Sequence, residues 1–386
     1  MRSVVFIIEF GFAMDLPTAR RLGLELASKL PWQEVADSPA VRYYTDWPKF
    51  EGFSPPAELE VGHVEAGLCE VVVSSGVLAG FGGCGGVEVR AGGEVFRLLS
   101  IDSRILALHA SVLQSVVSIS IGKPLERPLV VKISAVGPVG SHIASHLLLE
   151  ANAPGAVAVL VSNAAGVMHT AVIEAEFREP TDFLLASMGA GPQYVHSKAR
   201  VLSSVRARPL VSGGVMNAVR EEYHLAERAY TDVVGLELGQ GGSRIDHVVS
   251  VVNEGRESRG SARLYAVATD RSFVTQRAVG RIAKTGLWSD NTVEGVVYIA
   301  GEGAVANTQP IILVETGEVA GARHSAADAA LDEEREYYLR ARGVAKRDIP
   351  TVLVASLIDR YLAEVSEGLR EVVAPMLIHS TSLGVK

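Results

Sequence analysis

The sequence predicts a mainly β protein, elongated and solenoid-like, with helical segments at both ends. Three observations carry this reading. Short segments rich in β-branched residues and bounded by glycine recur from Leu59 to the region of Ala329. Helical periodicity is concentrated at the two ends of the chain. Aromatic residues make up only 6% of a chain that is 48% hydrophobic, so the core must be built from Val, Leu, Ile and Ala. The short strands alone would allow a sandwich, a barrel or a solenoid, and low aromatic content with stacked small aliphatics favours a parallel β-helix over a sandwich.

The elements follow in order. The opening run MRSVVFIIEFG resembles a signal segment only until Glu9 interrupts it, and no small-x-small cleavage pattern follows. LPTARRLGLELASKL, from Leu16 to Leu30, has helical spacing through Leu22, Leu24, Leu26 and Leu30, with Pro17 in the first turn, where a missing N–H costs nothing. A polar connection, SPAVRYYTDWPKFEGFSPP, closes this region near Pro56. CEVVVSS, VEVRAGG, SVVSISIG and PLVVKISAV then read as strands, as do DFLLASM, DHVVSVVNE, SARLYAVATD, TVEGVVYIAG and TQPIILVET further on. Within this span only Leu184 to Ala190 offers a short helical candidate. After Ala329 the texture is helical again. Asp332, Glu333 and Glu334 suit a helix N-terminus, and Arg340, Arg342 and then Gly343 suit its end. A last helical run starts at Pro350, with Leu353, Leu357, Tyr361 and Leu362 as its apolar side. The expected division is an N-terminal helical region over residues 1–58, a β-helix core over 59–326 and a C-terminal helical domain over 327–386.

Composition excludes several functions. The formal net charge is -8 and no basic cluster occurs, which argues against nucleic acid as a partner. No stretch approaches the ~18 uninterrupted apolar residues of a membrane span. The two cysteines, Cys69 and Cys84, suggest no disulfide framework, and a cytoplasmic location is expected. Gly80, Gly82 and Gly85 spell G-x-G-x-x-G, but strand-like VEVR follows where a dinucleotide site needs a helix. His142 and His146, in an extended segment, would stand about 13 Å apart and make poor co-ligands. No HExxH, paired CxxC, GxSxG or Walker A sequence is present, so a non-catalytic protein is expected.

One histidine stands out by its setting. In HSAADAALDEEREYYLRARG, His324 occupies the junction between the β body and the final helices. This stretch, through His324, Leu331, Asp332, Glu333, Glu334, Tyr338, Leu339, Arg340, Arg342 and Gly343, resembles the SufB/SufD family of SUF iron–sulfur cluster assembly scaffolds. SARLYAVATDRSFVTQRAVGRI, RYYTDWPKF and TQPIILVET, with Pro310 and Glu315, are similar to further family segments. The resemblance implies a right-handed parallel β-helix between an N-terminal helical region and a C-terminal helical domain. It implies pairing through the β-helix with a SufB-like paralogue or a second copy, and docking of a SufC-type ABC ATPase on the C-terminal helices. Exposed residues from Arg340 to Asp348, among them Arg340, Arg342 and Lys346, are the candidate ATPase contacts. It implies no intrinsic cofactor, only a transient iron–sulfur cluster or iron at a subunit interface. The family's assembly histidine falls on His324 and its cysteine position near Gly295. No cysteine follows Cys84, so the chain resembles the SufD-like member. Ser325-Ala326-Ala327 replaces the usual Gly-Ala-Thr, and Arg323, if close, would disfavour a charged His324. A helix-capping or last-rung packing role for His324 stays open. So do a purely structural partner and a carbohydrate-active β-helix, although Asp182, Asp232, Asp246 and Asp270 lack the consistent spacing that an acidic cleft on one strand face would show.

Overall fold

The computed structural model describes residues 13–33, 35–37, 42–58, 61–300, 303–328 and 333–381. The apolar opening run and residues 329–332 of the helix-start segment lie outside them. α1 (Leu16–Leu26) begins where Asp15 accepts the Thr18 N–H at 2.8 Å, with Pro17 in the first turn. Its Ala19 and Gly23 are buried, Gly23 against α2 (Arg104–Val112), while Leu24 points to solvent.

Between these helices, β1 (Glu70–Ser74), β2 (Val77–Phe81) and β3 (Val87–Ala91) build a cap with antiparallel pairings. The chain then alternates between two parallel sheets. One holds β4 (Val116–Ile121), β6 (His142–Ala151), β8 (Met168–Phe177) and β10 (Pro192–Val201). It continues through β13 (Met216–Leu225), β15 (Arg244–Asn253), β17 (Phe273–Ile282) and β19 (Val305–Val314). The other holds β5 (Leu129–Ala135), β7 (Gly155–Asn163), β9 (Thr181–Gly189), β11 (Ser204–Ala207) and β12 (Leu210–Gly213). It continues through β14 (Tyr230–Gly239), β16 (Arg259–Thr269), β18 (Asp290–Ala300) and β20 (Gly321–Asp328). The result is a parallel β-solenoid of about eight turns with helices at both ends, as the sequence led us to expect.

Alternation explains the strands. In β8, Ala171, Ile173, Ala175 and Phe177 enter the apolar lumen, while Met168 and Val172 face outward beneath α2 and the N-terminal segment. Both faces are therefore buried over much of the rod, and the sequence there reads as continuous apolar runs. That is why Leu184 to Ala190 has no clean alternation: the segment belongs to β9 and is not a helix. Phe183 and Leu185 line the lumen, and Leu184 packs outward under the C-terminal helices.

Those helices are α3 (Glu333–Ala341), α4 (Ile349–Glu364) and α5 (Glu367–Thr381). α3 ends as expected: Gly343, at φ +92°, donates to Arg340 O, and Val344 donates to Leu339 O, a Schellman pair. α4 and α5 do not project from the rod. They lie on the outer face of the β7–β18 sheet, burying Ile358, Tyr361, Val365, Leu369 and Val373 against Leu184, Leu236 and Tyr265. The Tyr361 hydroxyl donates to Arg208 O at 3.0 Å, and Arg208 Nε donates to Glu364 O at 2.8 Å.

On the opposite flank the N-terminal segment is held by charge. Asp246, fully buried, accepts from Arg220 at 2.7 Å, from Arg277 at 2.6 Å and from the Thr45 hydroxyl; Asp37 also pairs with Arg277. Burial alone would raise the Asp246 pKa, but the two guanidinium groups and Thr45 outweigh it and hold it at about 2. Two expectations fail in this half. α2 went unread because Ile105, Leu106, Ala107, His109 and Ala110 are all buried, leaving no polar face to mark a helical stripe. Cys69 and Cys84, expected to be unpaired, form a disulfide joining the start of β1 to the β2–β3 turn. No described helix is long and apolar enough to cross a membrane.

Candidate functional site

The two sheets end together at β19 and β20, and among the described residues neither has a strand on its outer edge. In most of the rod the lumen of each turn is sealed by the next. Here it is not: Ala306 and Ile312 pack against the lumen core but are themselves only partly buried, and Val305, Leu313 and Val314 are exposed. Unpaired N–H and C=O groups beside exposed aliphatics form a ready edge for another chain.

His324 stands on this last turn. β20 pairs in register with β18, placing His324 beside Val293 and Ala326 beside Gly295. Val293 lies in the lumen and is fully buried, so His324 takes the lumen-side position of the final turn. It is nevertheless exposed, because nothing described covers it. Arg323 turns the other way, its Nη2 lying 3.0 and 2.9 Å from the Asp290 carboxylate oxygens. Its charge is therefore engaged by Asp290 and is not directed at His324. Gly295 is walled off, since a Cβ there would sit 1.8 Å from Thr308 Oγ1. A side chain at this position needs Thr308 to move. Among the described residues no group of three or more His, Cys, Asp or Glu could hold a metal ion. Any metal site that included His324 would need ligands from beyond the described residues.

The other candidate residues lie elsewhere, at the end of α3. Arg340 Nη1 is 3.6 Å and Lys346 Nζ 3.1 Å from Glu336 Oε1, and Arg342 stacks 5.1 Å from the Tyr338 ring centre. All three cations are exposed, as are Tyr337 and Tyr338. The structure therefore separates two surfaces, the open turn with His324 and a tyrosine–arginine surface on α3. The acids of the carbohydrate reading form no common cleft: Asp182 pairs with Arg206, Asp232 with Arg208 and Asp246 with Arg220, while Asp270 accepts from Gly241 N–H.

Sequence reasoning missed two buried polar groups. His142 and His146 do share a network, not as metal ligands but through α2. His109 Nδ1 lies 3.1 Å from Thr170 Oγ1, which is 2.9 Å from His142 Nε2; His109 Nε2 lies 3.2 Å from His146 Nδ1, and His146 Nε2 3.0 Å from Glu174. Burial, with His169 nearby, holds the His142 pKa at about 3, so this ring is neutral. Inside the lumen, His247 lies between Glu237 at 2.6 Å and Glu221 at 3.1 Å. Burial opposes its charge, but these hydrogen bonds outweigh it and raise its pKa to about 9. Neither group carries a local sequence pattern, because its members come from separate turns.

Comparison with known proteins bears on the whole assembly. The family model described as the SUF system FeS cluster assembly SufBD core domain matches residues 143–356, more than half of the chain. An iron–sulfur cluster assembly SufBD family protein of Pyrococcus horikoshii is 24% identical over 229 residues, covering 57% of this chain and 49% of that protein. SufBD family proteins of Mycobacterium tuberculosis and Mycobacterium bovis are 32% identical over 65 residues, 17% of this chain and 16% of theirs. The chain thus aligns with less than half the length of each of these relatives.

Proposed function

We propose that this chain, which belongs to the SufBD family of iron–sulfur cluster assembly proteins, is a SufD-like scaffold subunit that works in the cytoplasm and has no catalysis of its own. It pairs end to end, through β19 and β20, with a cysteine-bearing SufB-like paralogue or a second copy. A SufC-type ABC ATPase binds the C-terminal helices, with Arg340, Arg342 and Lys346 among its contacts. An iron–sulfur cluster, or iron on its way to one, is the cargo at the subunit interface, and His324 contributes one ligand or proton-accepting group to it.

The observation that carries this reading is the open last turn, which exposes a lumen-side histidine between two unpaired sheet edges. Edge-to-edge pairing there would bring a second chain's ligands to His324, which has no metal-ligand group around it among the described residues. The absence of any cysteine after Cys84 favours a partner as the thiolate source. The packing of α4 and α5 on β7, β9, β14 and β16 also supports the reading, since force applied to them by an ATPase would pass directly into the body of the rod.

Anaerobic affinity purification from native cells, with mass spectrometry of the co-purifying proteins, tests it. Recovery of an ABC-type ATPase and a cysteine-bearing paralogue is expected. A chain that purifies alone and assembles no cluster with them would refute the scaffold role. Normal cluster output from a His324→Ala variant in the intact complex would leave the scaffold and remove the ligand role.

A further inference from the structure

Two strands in from β19, the outer face of β10, β13 and β15 carries a cavity of about 340 Å³, roofed by the N-terminal segment and the start of α2. One wall is aromatic. Trp32 stacks on Trp47 with ring centres 5.5 Å apart and 13° between planes, and Tyr194 tilts 6.2 Å from Trp47. The other wall is polar, formed by Asp102, His196 and Glu222. His196 lies 3.3 Å from the Tyr194 hydroxyl and 2.8 Å from Glu222 Oε1.

Two groups in these walls are unsatisfied. Trp47 is 5% exposed, yet its indole N–H has no partner, and the buried Gln33 Oε1 has none either. Asp102 accepts no hydrogen bond and joins no ion pair among the described residues. Most donors of the cations nearby are already engaged, although Arg104 Nε has no partner. Arg220 spends its terminal donors on Val219 O, Asp246 and Thr45. Arg104 lies 4.6 Å over the Trp32 ring, and Lys198 is 3.6 Å from Glu222. An anion entering the cavity would face the Asp102 and Glu222 carboxylates, while the unpartnered Arg104 Nε is itself buried. A cation meets a free carboxylate, an unpaired acceptor and aromatic rings.

We propose that this cavity binds a compact organic cation rich in N–H groups, an amine or guanidine. Its charged head sits at Asp102 and Glu222, and its carbon body lies against Trp32, Trp47 and Tyr194. The ligand bridges the N-terminal segment to the β-helix and so fastens that segment to the rod. This proposal is independent of the scaffold role.

Two of the chain's three tryptophans line the cavity, so intrinsic fluorescence reports on it directly. The full-length protein is titrated with agmatine, with glutarate as the anionic and 1,5-pentanediol as the neutral counterpart. A saturable change is expected with agmatine alone, together with a rise in melting temperature. Asp102→Asn is expected to raise the half-saturating concentration about tenfold or more, as loss of a charged hydrogen bond does. Ser250→Leu, which fills the cavity from β15, is expected to abolish the response. No saturable response to agmatine would overturn the proposal. So would an equal response to glutarate, or both folded variants titrating like the unaltered protein.

Discussion

The two ends of the β-helix are finished by opposite means. At the N-terminal end the sheets stop in short antiparallel strands, β2 and β3, and the outer edge of β2 is covered where Val64 donates to Ala79 O at 3.0 Å. Exposed charges on β3, Glu88 and Arg90, and the Cys69–Cys84 disulfide complete a protected terminus. At the C-terminal end β19 and β20 are long and parallel, and among the described residues their outer edges are unpaired, with aliphatics exposed beside them. Solenoids need a cap wherever they meet water. Among the described residues only one end of the rod is capped, which supports the pairing proposed above.

This contrast can be broken from either side. The largest effect on folding is expected from Asp246→Asn, which leaves Arg220 and Arg277 buried without their shared carboxylate. Chemical denaturation should show a loss of about 3–5 kcal/mol, with the N-terminal segment detached from the rod. Its pH dependence has a defined sign. The folded pKa of about 2 lies below the unfolded value near 3.9, so the contribution is complete above the latter and is lost as pH falls through about 2. The Asp246→Asn variant should lack that acid limb.

The cap comes next. The disulfide spans 15 residues, and opening a loop of this size by Cys69→Ser is expected to cost about 3 kcal/mol in the chain-entropy model. Thermal melts with and without reductant check this, and the variant should pair with partners as well as before. At the bare end the order reverses. Ile312→Lys places a charge at the mouth of the lumen and should weaken pairing by about 2 kcal/mol or more in analytical ultracentrifugation, with little change in melting. Glu88→Arg, its counterpart on β3, should leave pairing unchanged. Smallest in stability is His324→Ala, expected within about 0.5 kcal/mol of the unaltered protein because the side chain is exposed. Its effect should appear only in cluster output.

The same contrast marks what the sequence could and could not disclose. The body was legible because segments such as CEVVVSS and SVVSISIG carry β-branched residues between glycines, and these became β1 and β4. The closing helix was legible from Gly343, whose left-handed backbone ends α3 as its position suggested. α2 was not, because a helix buried on most sides has no stripe to read. Nor was the disulfide, since two cysteines disclose their pairing only when a β-turn brings them together. His324 was singled out by resemblance, not by chemistry. Its exposure on the lumen side of an unsealed turn follows from the register between β18 and β20, which local patterning does not encode. The cavity under Trp32 and Trp47 was equally hidden, being assembled from three strands, a loop and the start of a helix.

Hydrogen–deuterium exchange on the isolated chain and on its assembled complex tests the central claim most directly. The account predicts strong new protection of backbone amides in β19 and β20 on assembly, with β2 and β3 exchanging as before. New protection confined to the β2–β3 end, or none at β19 and β20 in an otherwise complete complex, would contradict it.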